Sequence, residues 1–234
     1  VDIAQAALLR ELLDGSDWVR RTRDFAAELR AAARLAPAGA AGRPGTTGPL
    51  LVGTPSIEPW HFAAHLRDEA AWSGLDELRP TLVRWRVPPG APPHLAVSIE
   101  RLESVRRSET VLVAAPGPAP VPLLERVADA RRAGAVILAL EDGDQELRGL
   151  AHHALTVPGG DPGDEPGGDF RPPGRNAEPA PGGFPFELTE HLVCAAAGEV
   201  PSLDAPGPGG RRRIFRDRLA RIADALISPP PARW

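Results

Sequence analysis

The chain has no lysine, no tyrosine and no methionine, and Cys194 is its single cysteine. Without lysine, Schiff-base chemistry on a lysine amine is excluded. One cysteine excludes an intrachain disulfide. No uninterrupted apolar run approaches the ~20 residues of a membrane helix, so no membrane partner is expected. The first residues, Val1-Asp2-Ile3-Ala4, lack the basic-then-apolar layout of a signal peptide. A cytoplasmic setting is the simplest expectation. A large excess of charge of either sign is also lacking. The formal net charge of −4 gives no global attraction to nucleic acid or to a membrane.

What is present is enough for one sizeable core. Of 234 residues, 42% are hydrophobic and 25% charged. Residues 3–14 have helical spacing. A second helix is expected from Asp17 to about Leu35, with Trp18, Thr22, Phe25, Leu29 and Ala33 on one face. That stripe needs a surface to cover it. Residues 36–49 read as a loop. The period then changes. Leu50–Gly53, Thr81–Trp85, Glu109–Ala115, Ala135–Leu140 and Ala154–Val157 read as buried strands. Helices are expected at 59–72, 121–133 and 147–153, with Gly134 placed to end the second of these. Leu95 to Leu102 fits either a short helix or an extended segment. Strands alternating with helices predict a parallel sheet covered on both faces, in the order 2-1-3-4-5. A ligand belongs at the switch point, between strands 1 and 3.

Between Pro158 and Gly183, 15 of 26 residues are proline or glycine, which predicts a mobile loop. A helical pattern returns at 186–198. A second break at 201–210 precedes a helix at 211–227. The organisation is therefore a domain over 1–198, with N-terminal helices at 1–35, and a C-terminal extension over 199–234.

Few residues suggest chemistry by themselves. His61 and His65 are four apart, share a helix face, and could chelate Zn²⁺. The sequence shows no third ligand beside them, so no metal is expected, and two half-exposed histidines beside a polar cleft are the plainer reading. His152 and His153 are adjacent and point to different faces of a helix. Cys194, among Leu192, Val193 and three alanines, reads as a packed thiol. Arg211, Arg212, Arg213, Arg216, Arg218 and Arg221 make a basic stretch. It reads as a solvated helix face rather than a nucleic-acid site.

Three local patterns resemble one known family. Leu51-Val52-Gly53, followed by His61-Phe62-Ala63-Ala64, resembles the phosphoheptose isomerase branch of the sugar-isomerase (SIS) family. There a strand ends in a Gly-Asn-Gly-Gly-Ser loop and runs into a helix bearing His-Phe-Ala. Thr110 to Leu140 is similar to the family's central strand–loop–helix–strand unit. Within it, Ala128-Asp129-Ala130-Arg131-Arg132-Ala133-Gly134 resembles the family's helix end. Leu150 to Pro158 is similar to the helix, strand and Val-Pro that follow. The likeness covers roughly residues 3–198. It implies a flavodoxin-like α/β sandwich and a sugar or sugar-phosphate ligand. It also implies assembly as a dimer or tetramer, or with a different subunit.

The resemblance also implies chemistry that this chain has largely lost. Phosphoheptose isomerases move a carbonyl between C1 and C2, which needs a base, an acid and a phosphate cradle. The family's cradle is a Ser/Thr-rich loop at a helix N-terminus. The matching loop, Ala114 to Pro122, has no hydroxyl, and four of its nine residues are prolines without an N–H. The first loop, Thr54 to Trp60, is shorter than the family's. Thr54 and Ser56 can still bond a sugar hydroxyl, while Ile57 and Trp60 read as packing residues. His61 matches a family histidine, but the catalytic Glu four residues on is His65 here. The closing-helix histidine falls near Ala197, and His191 lies about two turns earlier. The expected ligand residues are Gly53, Thr54, Ser56, His61, His65 and Gly117. His61 and His65 are the only catalytic candidates, and no cofactor is expected. The reading is a non-catalytic carbohydrate-derivative-binding or regulatory protein. The alternatives are an isomerase with a rebuilt site and a structural subunit of a hetero-oligomer.

Overall fold

The computed structural model describes residues 17–35, 48–157 and 186–199. The expected helices at 3–14 and 211–227 and the Pro/Gly stretches at 158–183 and 201–210 lie outside these residues.

Five strands form one all-parallel sheet in the order β2-β1-β3-β4-β5. They are β1 (Leu50–Gly53), β2 (Thr81–Val83), β3 (Thr110–Ala115), β4 (Val136–Glu141) and β5 (His153–Thr156). The order and direction match the sequence expectation, and β1 lies beside β3 as the switch point requires. The three central strands are buried on both faces, which is why they read as continuous apolar runs.

The helices are α1 (Asp17–Leu35), α2 (Trp60–Ser73), α3 (Val121–Arg132), α4 (Gln145–Leu150) and α5 (Phe186–Ala197). Alternate strand residues face two separate cores. Leu51, Leu112, Leu138, Leu140 and Leu155 pack with α1, α2 and α5. Leu50, Val52, Val111, Val113, Ile137 and Ala139 pack with α3 and α4. The stripe of α1 is buried as expected, through Trp18, Thr22, Phe25, Leu29 and Ala33. Its cover comes from α5 and β5 of the same chain, so this face needs no second subunit. Gly134 takes φ +91° just beyond α3, the left-handed geometry that ends a helix.

Two local expectations are corrected. The segment around 95–102 is neither a regular helix nor a strand: it makes two 3₁₀ turns, Pro93–Leu95 and Ile99–Ser104. The helix expected at 147–153 starts and ends earlier. Asp144 caps it by accepting from the Leu147 N–H, and Ala151 turns to extended geometry. His153 therefore begins β5, and His152 Nδ1 accepts from the Ile137 N–H at 2.9 Å. No helix among the described residues is long and apolar enough to cross a membrane.

Candidate metal centre

The loop after β1 sets the position of α2. It folds back over Gly53 so closely that a Cβ there would lie 2.2 Å from the Ile57 carbonyl oxygen. Ile57 N–H closes a turn onto the Thr54 carbonyl at 3.2 Å. The Trp85 indole N–H donates to the Gly53 carbonyl at 2.8 Å. Arg84 pairs with Glu58 at 2.8 Å, tying this loop to the end of β2. Gly53 thus holds the loop in place. Thr54 Oγ1 and Ser56 Oγ lie 3.0 Å apart, Thr54 buried and Ser56 exposed.

That anchoring fixes the first two turns of α2. His61 and His65 share a face, with their Nε2 atoms 3.0 Å apart. The third partner comes from α5. The His191 ring centroid lies 4.9 Å from that of His61 and 4.3 Å from that of His65. One ligand nitrogen from each of the three lies within 4.8 Å of the others. The sequence did not show a third histidine beside His61 and His65; His191 stands there, and the three together could hold a metal ion.

The electrostatics favour ligation. His191 is 3% exposed, and neither ring nitrogen has a hydrogen-bond partner among the described residues. A buried orphaned imidazole is costly, and a metal ion would take up the lone pair of one of its two nitrogens. Burial, then the neighbouring His65 and His61, pushes the His191 pKa down to about 4. Burial and His61 also lower His65, against a weaker opposing effect of Asp68. Both rings are thus held in the neutral form that a metal ion requires. Tetrahedral Zn²⁺ with Zn–N near ~2.0–2.1 Å sets neighbouring nitrogens about 3.3 Å apart. The His61–His65 spacing is already close to that, and the His191 nitrogen lies within 4.8 Å of both. Held by three imidazoles, a tetrahedral ion would have one further position for a water or a ligand oxygen.

The second expected loop behaves differently. Ala119 N–H donates to Asp144 Oδ2 at 2.7 Å, while Asp144 Oδ1 accepts from the Leu147 N–H at 2.9 Å. A carboxylate of the chain itself thus occupies the loop where the family resemblance placed a phosphate. Gly117 faces open space, and a Cβ there would touch nothing within 4 Å. Replacing Asp144 with alanine orphans the Ala119 amide and uncaps α4. Urea denaturation should register a loss of about 1–2 kcal/mol. A change within ±0.3 kcal/mol would show that this carboxylate holds nothing together.

Other expectations divide. Cys194 is buried, with its Sγ 3.9 Å from the Phe62 carbonyl, and burial raises its pKa well above the usual thiol value. It is a packed thiol, as expected. Ala197 is fully buried at the end of α5. Ile57 and Trp60 do not pack: they are 48% and 64% exposed. The Trp60 ring stands 5.5 Å from that of His61. The sequence names His191 on the closing helix but does not bring it to His61 and His65, because every residue from Thr189 to Ala197 is buried. A helix covered all round offers no periodicity to show which side faces α2.

No protein-family model matches the chain, and no curated protein matches its sequence. Among solved structures, it is similar to a candidate phosphosugar isomerase from Silicibacter pomeroyi, at 14% identity and a TM-score of 0.44. That match covers 93% of this chain and 53% of the other. It is also similar to a candidate sugar-binding protein from Salmonella typhimurium, at 14% identity and a TM-score of 0.42, over 86% and 54% of the two chains. The chain spans about half the length of either structure. Similarity this low carries no functional weight, and the α/β fold rests on the strand order and direction described above.

Proposed function

We propose that this chain is a ligand-binding domain of the sugar-isomerase type, organised around a divalent transition-metal centre at His61, His65 and His191. The observation that carries this reading is the meeting of three imidazoles, one of them buried with both nitrogens unpartnered. Imidazole ligands suit Zn²⁺ and its first-row neighbours. Bound there, such an ion would act as a Lewis acid toward a ligand hydroxyl or carbonyl oxygen. The chain's own residues supply the rest. The loop over Gly53 orients α2, and α5 brings the buried third ligand.

Isomerase turnover on sugar phosphates is not part of this reading. The loop at 114–122 has no hydroxyl, and Asp144 already uses its Ala119 amide. The family's acid/base Glu position is His65, and its second histidine position is Ala197. General acid–base groups contribute ~10²–10⁴-fold each, so losing them as a unit removes measurable turnover. The rebuilt-site alternative gains one supporting observation, because a three-histidine centre is a means of polarising a carbonyl. A purified-protein assay on sedoheptulose 7-phosphate, with and without Zn²⁺, decides between them. Turnover that disappears in His61→Ala would establish the alternative.

The metal is tested by calorimetric titration of Zn²⁺ into chelator-stripped protein, and by the visible spectrum with Co²⁺. We expect one ion per chain, intense four-coordinate Co²⁺ bands, and a rise in the thermal midpoint. His191→Ala should weaken Zn²⁺ binding at least about 100-fold. Equal affinity in that variant would remove the basis of the reading.

A further inference from the structure

The three histidines are divided between two helices, two of them on α2 and one on α5. We propose that the ion they hold is also a latch. Its binding locks the N-terminal half of α5 against α2, and without it that half opens locally while the sheet stays closed. The latch rests on the metal reading above and adds a regulation to it.

The polar ties of α5 are unevenly placed. Its C-terminal end is held to α1: Arg30 donates to the Ala196 carbonyl, and Arg23 pairs with Glu199 at 3.3 Å. The N-terminal half is the opposite case. There the Thr189 hydroxyl and both ring nitrogens of His191 are buried without a hydrogen-bond partner among the described residues. Glu190, between them, is buried as well. Each buried orphan costs free energy that an open, hydrated helix does not spend. Against that cost stands the apolar packing of Leu188, Leu192 and Val193. A segment with this balance belongs to the low-stability end of a fold, where local opening is frequent.

A metal ion reverses the balance at this one place. His61 and His65 are half-buried on α2 with their Nε2 atoms 3.0 Å apart, and a His191 nitrogen lies within 4.8 Å of both. With α5 closed, the ion has three imidazoles. With α5 open, it keeps only the pair on α2. The ion therefore binds the closed form more tightly, and that difference is what shifts the equilibrium. With the free ion at 100 times its Kd, an opening that releases it becomes about 100-fold rarer.

The test is hydrogen exchange of the full chain, in chelator and with Zn²⁺ at about 100 times the Kd found by calorimetry. In chelator, residues 186–193 should exchange at least about 10-fold faster than β3 and β4. Zn²⁺ should slow 186–193 at least about 10-fold. His61→Ala keeps the buried imidazole and removes a ligand. Its residues 186–193 should stay fast at the same Zn²⁺ concentration. His191→Leu and His191→Met replace the orphan by apolar side chains of similar size, and in chelator they should slow 186–193 relative to the parent. Exchange of 186–193 as slow as that of the strands in the chelated parent would overturn the latch. So would full slowing by Zn²⁺ in His61→Ala, or faster exchange in both His191 variants. If Zn²⁺ binds by calorimetry and 186–193 do not respond, the latch falls and the metal reading stands. If Zn²⁺ does not bind, the metal reading falls and the latch with it.

Discussion

Replacing Gly53 with alanine is expected to cost at least about 3 kcal/mol of stability, the range reserved for a clash that nothing flexible can relieve. The added Cβ would sit 2.2 Å from the Ile57 carbonyl oxygen and 2.6 Å from Pro59 Cδ, where real Cβ atoms stay beyond 3.0 Å. Neither obstacle is the end of a flexible side chain. Ile57 is tied by its turn to Thr54, and Pro59 is the residue from which α2 starts. Relief would require the whole loop to lift. That would strain the Trp85 bond to the Gly53 carbonyl and the Arg84–Glu58 pair. It would also shift His61 and His65 relative to His191. Weakened Zn²⁺ binding should therefore accompany the lost stability. Gly117→Ala is the control, because a Cβ there meets nothing and the backbone is not in the left-handed region. It should stay within about 0.5 kcal/mol of the parent in urea denaturation. A Gly53→Ala protein equally close to the parent would mean that the loop does not lie on Gly53 as described.

The contrast between these two glycines shows what was legible in the sequence. The sequence makes both expected ligand residues, by their places after β1 and β3. Only the structure separates the one under a folded-back loop from the one in open space. The strands were legible because a doubly covered parallel strand is an unbroken apolar run, and β1 and β3 were each found to within a residue. The amphipathic α1 was legible for the opposite reason, its stripe being half the helix. Asp144 was not legible as a resident anion. Its partner Ala119 lies 25 positions away, and only the adjacency of the loops after β3 and β4 brings them together. The 3₁₀ turns around Leu95 and Ser104 carry too little periodicity to separate from an extended run. The His61–His65 pair was legible from spacing alone. Its completion by His191 was not, because it depends on how a wholly buried α5 is rotated against α2.

That same buried helix predicts an unusual dependence of stability on pH. Glu190 lies beside His191 on α5 and is 7% exposed. Burial, reinforced by the charge of Glu187, pushes its pKa up to about 8. In the unfolded chain a glutamate titrates near ~4.3 and a histidine near ~6.5. Between about pH 4.3 and 8 the folded protein holds a proton on Glu190 that the unfolded chain has released, so Glu190 makes stability fall as pH rises. His191, lowered to about 4 by its burial and by His65 and His61, acts in the other direction. Between about pH 4 and 6.5 the unfolded chain carries the extra proton, and stability rises with pH. Over the shared window the two slopes oppose and largely cancel. Above about pH 6.5 only the Glu190 contribution remains, and stability should fall by about 2 kcal/mol on the way to pH 8. Glu190→Gln keeps the size of the side chain and removes its titration. Relative to the parent, it should abolish the fall between pH 6.5 and 8. It should also expose the His191 slope as a gain of about 2–3 kcal/mol from pH 4.5 to 6.5. His65, also lowered by burial, adds to that gain in parent and variant alike, so the difference between the two curves reports Glu190 alone. Urea denaturation across this range, with chelator present to keep the histidines metal-free, measures both curves. Parallel curves would mean that Glu190 is ionised in the folded protein, and that α5 is more open to water than its burial implies.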